Sequence, residues 1–477
     1  MESSELFENT SGRWIWNDSS KHAGRRRAFN VSEFKRLAAA AVNRNAKDVA
    51  RFEKLSKGGF NRTFLITMCD GFQLVGRIPY LSTQPRHLVV ASEVATMNFL
   101  HNGAGTEYMF MELARGKNLG DIWFDLSIEA RITVVTSLVE LESRLFSLTF
   151  PASGSLYHTK DIQPGLERVE VPIADSAYDG HFCIGLDTSL SFWQIHGYQA
   201  QSPSEHLSNL EKYLQTVPYL VPDGNSTLVR PTMRHPDLQP NNIFVTDDFR
   251  IASVIDWQHC TILPLFLQCG IPNSLQNYGD SISESLTFPE LPPNFDKLSE
   301  NAQFRETMLL HRRQVHYFYV VATASLNPTH YDALTANFSI LRRKLFVHAS
   351  DPWQGDIFSL KNDLIDLTKN WDKVVASQSN TDGETRHPCP IAFSEDEVAE
   401  CLRLHDAQVD ADESLRDCRD LIDIGVEGWV PAELYDEIKQ REQEFKAEAL
   451  KAAESEEERQ QVFEHWVFDD FDEEEYS

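Results

Sequence analysis

Residues 234–257 read RHPDLQPNNIFVTDDFRIASVIDW, and they carry the side chains best suited to chemistry. His235, Asp237 and Asn242 stand at the spacing HxDxxxxN. A short apolar run, Ile243 to Val245, follows, and Asp247-Asp248 supplies a turn. A second run, Ile251 to Ile255, ends on Asp256. Two such runs about a polar turn predict a tight hairpin, which would set Asn242 beside Asp256. Phosphoryl transfer needs that arrangement. One carboxylate must orient an acceptor hydroxyl or amine and take its proton, while an amide oxygen and a second carboxylate hold magnesium against the phosphates of ATP. Magnesium favours a few hard oxygen ligands, with water and phosphate completing its shell. This reading makes Asp237 the catalytic base and makes Asn242 and Asp256 the metal ligands. His235 braces the loop by hydrogen bonds and carries no proton in the reaction. Any one of these residues alone would be an ordinary loop residue; the argument rests on their combination.

Upstream residues supply the parts that a nucleotide would need. Lys57-Gly58-Gly59-Phe60-Asn61-Arg62 lies between two predicted strands. Glycines at such a turn let backbone N–H groups approach phosphate oxygens, so Gly58, Gly59 and Asn61 are nucleotide-binding candidates. Arg77 ends the next strand and Glu93 lies on the helix after it. A cation held by a helix glutamate and aimed at the α- and β-phosphates is the expected clamp. Arginine there gives a planar fork, where lysine would give a point charge. Phe110-Met111-Glu112-Leu113 would join two lobes, with the backbone of Met111 and Glu112 facing adenine and Gly116 as a flexible point. The bland alternatives are an ordinary hairpin turn and a surface salt bridge.

The elements that must hold these residues follow from periodicity. A helix is expected over 31–43, with Ser32 as its N-cap. Strands are expected over 51–56, 60–69 and 72–79, a helix over 88–100 and a strand over 106–113. That is a small antiparallel sheet with one helix. From Ser127 the period is helical again, and Ile128, Ile132, Val135, Val139 and Leu145 form the expected buried stripe. Further helices are expected over 204–215, 305–325, 333–348 and within 394–462. Residues 376–390 are polar and read as a linker, and Asp469–Tyr476 as an acidic tail that buries little. Trp14 and Trp16 stand out as docking anchors in a polar N-terminal stretch.

Composition narrows the partners. The chain of 477 residues carries 72 acidic against 44 basic residues, a net charge of −28. Such a surface repels phosphate backbones and anionic lipid, so nucleic-acid and membrane roles are disfavoured and a nucleotide site must be locally basic or metal-loaded. Seven cysteines without a CxxC pair read as free thiols of a reducing compartment, with no zinc site. No apolar run reaches the roughly 18 residues of a membrane span. The acidic start carries no clear presequence.

The phrases SGRWIWND (11–18), KGGFNRTFLITM (57–68), ASEVATMNFL (91–100), AGTEYMFMEL (104–113), NLGDIWFDL (118–126), HPDLQPNNIFV (235–245), IDWQ (255–258) and VFDDFDEEE (467–475) run along nearly the whole chain. Through them the sequence resembles the aminoglycoside phosphotransferase family of kinase-like enzymes, and more narrowly the fungal altered-inheritance-of-mitochondria protein nine group. The resemblance implies an α+β, bilobal protein-kinase-like fold with a small antiparallel-sheet N-lobe and a larger, mainly helical C-lobe bearing the catalytic hairpin. It implies ATP as donor with Mg2+, a small-molecule acceptor left open, and a mitochondrial setting, with the cytoplasm as alternative. The expected units are an N-terminal extension (1–30), N-lobe (31–113), C-lobe (114–375), linker (376–393) and charged helical extension (394–477). One departure stands out. Kinase-like N-lobes place two strands between the glutamate-bearing helix and the inter-lobe segment, and only His101-Asn102-Gly103 stands here between Leu100 and Ala104. An N-lobe one strand short and loose is therefore expected. The alternative function is a catalytically weak pseudokinase acting as a binding or scaffold protein. A protein kinase is disfavoured, because Asp256-Trp257-Gln258 stands where Asp-Phe-Gly would.

Overall fold

The computed structural model describes residues 6–7, 12–26, 28–57, 61–80, 86–101, 109–163, 165–173, 180–189, 203–224, 226–350, 358–376, 387–425 and 428–471. The expected strands form in the N-lobe. They are β2 (Val49–Lys57), β3 (Asn61–Met68), β4 (Gln73–Pro79) and β5 (Met109–Glu112), antiparallel in the order β2-β3-β4-β5. Strand β1 (Gly12–Trp14) and helix α1 (Asp18–Arg25) precede α2 (Val31–Ala41), which Asn30 caps through its side chain on Glu33 N, in place of the expected Ser32.

Alternation along these strands sorts the sheet into two faces. Phe64, Ile66, Met68, Leu74 and Ile78 face residues 29–42, where Phe29 and Phe34 pack over them. Phe52 and Phe64 stack with centroids 4.9 Å apart. Gly76 is required where Phe34 crosses the sheet: a Cβ there would sit 2.8 Å from Phe34 Cζ. The opposite face carries Arg77 and meets α3 (Arg86–His101) through Val90 and Val94 beside Met111. Among the described residues β5 pairs directly on β4 and is the outermost strand on that side. Helix α2 and the residues before it cover one face of this sheet. The connection 102–108 lies outside the described residues.

The C-lobe opens with β6 (Lys117–Asn118) and α4 (Ile128–Ser147). A small sheet of β7 (Ser155–His158), β8 (Val169–Glu170) and β9 (Phe182–Gly185) follows, and then α5 (Pro203–Leu220). Strand β10 (Pro231–Arg234) pairs with β13 (Thr261–Pro264), and between them stands the hairpin of β11 (Ile243–Val245) and β12 (Ile251–Val254). Helices α6 (Leu265–Gln268), α7 (Ser281–Glu284), α8 (Glu300–Leu326), α9 (Pro328–Thr335), α10 (Ser339–Ser350) and α11 (Phe358–Ala376) complete it. The α4 stripe departs from expectation at Ile132, which is exposed; Ala130, Val134, Leu138 and Glu142 are buried in its place. Gly116 is no free hinge. Its φ is +103°, and a Cβ would lie 2.4 Å from the Val245 carbonyl oxygen.

The two chain ends meet. Helix α12 (Glu395–Ile422) leads to β14 (Trp429–Pro431), α13 (Tyr435–Ala452) and α14 (Glu456–Glu464). Strand β1 pairs antiparallel with β14, and Ile15, Trp16, Ile422, Ile424, Val430, Ile438 and Phe468 share one core. The expected N-terminal and C-terminal extensions are thus one terminal unit, and Trp14, fully buried, is one of its anchors. The start of the acidic tail docks: Asn17 N donates to Asp470 at 2.5 Å, Phe471 N donates to Asn17 Oδ1 at 2.9 Å, and Lys446 pairs with Asp469. Residues 406–414 of α12 are exposed on every side, which marks a helical strut running through solvent between the C-lobe and the terminal unit. Part of the expected linker is also packed, since Ile391 is buried and Trp371 Nε1 donates to His387 O at 2.7 Å. No helix among the described residues is long and apolar enough to cross a membrane.

Candidate active site

The hairpin does what its sequence predicts. Ile243 stands opposite Val254, and Ile255 N donates to Asn242 O at 2.9 Å, so Asn242 and Asp256 are carried on neighbouring backbone. The turn at 246–250 closes through Thr246 N to Arg250 O at 2.9 Å, with Phe249 at φ 60°. Beyond β12 the backbone turns sharply. Asp256 adopts φ 67° and His259 φ 63°, left-handed values that most side chains disfavour and that concentrate at functional sites.

His235 knits the loop together. The Asp237 N–H donates to His235 Nδ1 at 3.1 Å, so the ring proton lies on Nε2, which donates to Ile255 O at 2.9 Å. One neutral imidazole thereby ties the Asp237 loop to the residue before Asp256. Trp257 meets that ring edge-on at 4.6 Å. Burial pushes the His235 pKa down to about 4, so it stays neutral, as a brace must. Asp237 is exposed to solvent. Gln239 Nε2 donates to its Oδ2 at 2.6 Å, and Asn242 Nδ2 donates to Oδ2 at 3.1 Å and to its carbonyl at 3.0 Å. Although the residue reaches solvent, desolvation of its carboxyl by the surrounding loop, and then the nearby Asp256 charge, raise the Asp237 pKa, which makes this carboxylate the better base.

Arg77 spans the two lobes. Its Nη1 donates to Glu93 Oε1 and its Nη2 to Asp256 Oδ1, each at 2.7 Å. The predicted Arg77–Glu93 pair is therefore present, and Asp256 is its unforeseen third member. Burial pushes the Glu93 pKa up to about 7, against the pull of Arg77. Asn61 is placed differently from the expectation. It is buried, and its amide donates to Gln258 Oε1 at 2.6 Å, so it holds β3 to the segment after Asp256. Gln258 Nε2 in turn meets His259 Nε2 at 3.1 Å. Gly58 and Gly59 lie outside the described residues. Met111 and Glu112 lie on β5, opposite Val75 and Leu74, at the exit from the sheet towards β6.

Beneath the loop lies a buried group that the motif reading missed. Arg234 Nε donates to Glu142 Oε1 at 2.7 Å, its Nη2 to Tyr319 Oη at 3.0 Å, and its Nη1 to the carbonyls of Gln268 and Gly270. Tyr319 closes the ring by donating to Glu142 Oε2 at 2.5 Å. A desolvated arginine with every neighbour an acceptor fixes β10, and with it the position of His235. The visible signal was a charged residue at the end of an apolar strand, Arg234, with a glutamate inside the apolar stripe of α4.

Two oxygens could receive a hard cation. Asn242 Oδ1 and Asp256 Oδ2 take no hydrogen bond among the described residues, while their companion atoms are committed to Asp237 and Arg77. No group of three or more His, Cys, Asp or Glu side chains among the described residues could hold a metal. A magnesium ion that brings water and phosphate as further ligands does not need one. The donor set fits such an ion.

Sheet, hairpin and lobe-bridging arginine together define a class: an α+β, bilobal fold of the kinase-like kind. The relatives are particular. No family model matches the chain. A subtelomeric hrmA-associated cluster protein of Aspergillus fumigatus is 26% identical over an alignment of 498 positions, gaps included, that covers 84% of this chain and 93% of that one. Altered inheritance of mitochondria protein 9, mitochondrial, of Clavispora lusitaniae is 22% identical over an alignment of 549 positions, gaps included, that covers 92% of this chain and 88% of that one. Among solved structures, an ADP-bound aminoglycoside phosphotransferase is 12% identical, with 61% of this chain and 99% of that one covered and a TM-score of 0.29. The narrower resemblance drawn from the motifs, to the altered-inheritance group, is met by the second of these relatives.

Proposed function

We propose that this chain is an ATP- and magnesium-dependent phosphotransferase that moves a phosphoryl group to a hydroxyl of a small molecule. The observation that carries this reading is the hairpin pairing that sets Asn242 beside Asp256, with Arg77 of the other lobe on Asp256. Bound ATP would supply the phosphoryl group, and magnesium would neutralise charge on its phosphates. Asn242 Oδ1 and Asp256 Oδ2 would hold the metal. Asp237 Oδ1, which accepts no hydrogen bond among the described residues, would take the acceptor hydroxyl's proton. Arg77 would steady the phosphates, and Glu93 would hold Arg77 in place. Asp237 and Asp256 outnumber the one guanidinium even where Glu93 holds a proton, so the site is acidic, which suits a divalent cation and calls for one before a nucleotide enters. The names of the altered-inheritance relatives support a mitochondrial setting, which organelle fractionation tests.

A second reading rests on Arg77. Its fork is already filled by Glu93 and Asp256, and Asn61 is committed to Gln258, which also suits a pseudokinase that binds without turnover. One experiment separates the two. The protein is titrated with ATP, with and without magnesium, and then incubated with labelled ATP and a metabolite extract. Magnesium-coupled binding with a labelled product supports the enzyme. Binding with no product, or no binding at all, removes the enzyme and supports the pseudokinase acting as a binding or scaffold protein.

A further inference from the structure

Strand β3 is pinned on both faces by consecutive residues. Asn61 reaches Gln258 in the C-lobe. Arg62, its neighbour, points the other way and is fully buried. No carboxylate meets Arg62 among the described residues. Its Nη1 donates to Leu6 O at 2.9 Å and its Nη2 to Arg25 O at 3.0 Å. Its guanidinium lies 5.7 Å from the centre of the Tyr80 ring, and Nε has no hydrogen-bond partner among the described residues. Burying a guanidinium without a counter-charge is costly, and two carbonyls and one aromatic face offset that only in part. An apolar residue would cover the sheet more cheaply at this position.

The contacts of Arg62 lead to the terminal unit. Arg25 lies over the Trp14 ring at 4.6 Å and over the Tyr80 ring at 5.9 Å. Trp14 stands opposite Trp429 in the β1–β14 pair. In the other direction, Arg62 is opposite Ile78, and Thr63 is opposite Arg77. A continuous run of contacts therefore links the meeting point of the two chain ends to the arginine that bridges the lobes.

We propose that Arg62 is a positioning residue, through which the terminal unit holds β3 and β4 so that Arg77 stays on Glu93 and Asp256. Its value for nucleotide binding rests on the phosphotransferase reading; the mechanical coupling does not. The terminal unit itself is tethered to the C-lobe by the α12 strut. Both lobes are thus referred to one external frame, in addition to the segment that joins them.

Three variants test this. Gly12→Val strikes the far end of the frame, because a Cβ there would lie 2.4 Å from both the Trp429 ring and the Val430 carbonyl oxygen. Arg62→Met removes both donors at constant bulk, and Arg62→Lys keeps the charge and part of the donation. Hydrogen exchange is followed without nucleotide. Gly12→Val should open 429–431 and should also speed exchange in 61–68 and 73–79 about tenfold, as should Arg62→Met, with 243–254 unchanged. The double variant should be no faster than either single one. Arg62→Lys should be intermediate, and it serves as the folded test if Arg62→Met does not fold. Opened 429–431 with unaltered β3 and β4, or strictly additive effects, would overturn the proposal. In the same proteins the KM for ATP should rise about tenfold at constant kcat. A wild-type protein that ignores ATP would instead sink the phosphotransferase reading, and the exchange data would still decide the brace.

Discussion

Arg77 Nη2 lies 2.7 Å from Asp256 Oδ1, so strand β4 of the N-lobe sheet is ion-paired to the residue just beyond the C-lobe hairpin. The same guanidinium holds Glu93, whose side chain is only 3% exposed. Arg77→Met would leave Glu93 desolvated and unpaired. Removing one partner of a buried pair costs about 3–5 kcal/mol. Adding Glu93→Gln should recover most of that loss, because no carboxyl then has to be neutralised on burial, yet ATP affinity should stay low. Chemical denaturation and calorimetric titration of the two variants check both halves. Recovery of ATP binding in the double variant would show that Arg77 does not serve the nucleotide.

Asp237 is the second test. Its Oδ2 is held by Gln239 and Asn242, which aims the carboxylate without consuming Oδ1. Asp237→Asn keeps the volume and loses the base. Turnover should fall about 100-fold or more while the affinity for ATP is kept. An active Asn variant would remove Asp237 from the reaction.

The metal assignment is best tested at Asn242, because Asp256→Ala would also strip Arg77 of a partner. Asn242→Leu leaves the Arg77 pairs in place. It should weaken the dependence of ATP affinity on magnesium roughly tenfold or more. Unchanged linkage between the two titrations would put the metal elsewhere.

Much of this site was legible because its parts are local in sequence. The hairpin needs only two apolar runs and the turn at Asp247-Asp248, and the HxDxxxxN spacing fixes which side chains share its base. The Arg77–Glu93 pair was legible because a strand and the next helix carry it. Long-range partners were not. Nothing near Asn61 names Gln258, and nothing near Glu142 names Arg234 or Tyr319, since tertiary packing alone brings them together. The terminal unit escaped for the same reason. Trp14 and Trp16 signalled docking, but β1 is three residues long and its partner β14 lies at the other end of the chain. The N-terminal cap of α2 shows a smaller limit: Asn30 and Ser32 are both good caps, and the backbone entering the helix decides between them.

The acidic tail gives a prediction that the sequence alone would have set differently. Composition suggested that residues from Asp469 onward bury little, yet Asp469, Asp470 and Phe471 all bond to the terminal unit. Deleting residues 469–477 removes an ion pair and both Asn17 contacts. Phe468, fully buried, remains to hold the core. The expected loss is about 1–3 kcal/mol, seen first as faster exchange in 12–17 and 429–431. Equal protection in these segments before and after deletion would show that the tail's bonds contribute nothing.

Acid should weaken the fold in a window set by buried histidines. Burial pushes His235, His311 and His330 each down to about 4. For His330 the geometry agrees: Nε2 donates to Cys269 O at 3.0 Å, Nδ1 has no hydrogen-bond partner among the described residues, and Arg234 stands near to oppose a second proton. An unfolded histidine titrates near 6.5. Between about 6.5 and 4 the unfolded chain therefore binds these protons and the folded chain does not, so stability falls as pH falls through that window. Glu93 acts in the opposite sense. Its folded pKa, near 7, lies above that of an unfolded glutamate, so it binds a proton in the folded state first and offsets one histidine of the three. The net effect is a loss of stability on acidification, about 1.4 kcal/mol per pH unit for each uncompensated proton. His330→Phe should flatten the slope by one such proton, because a ring of similar size fills the site and cannot titrate. Urea denaturation across pH 7 to 4 measures both slopes. An unchanged slope in the variant would mean that His330 is already charged in the folded protein.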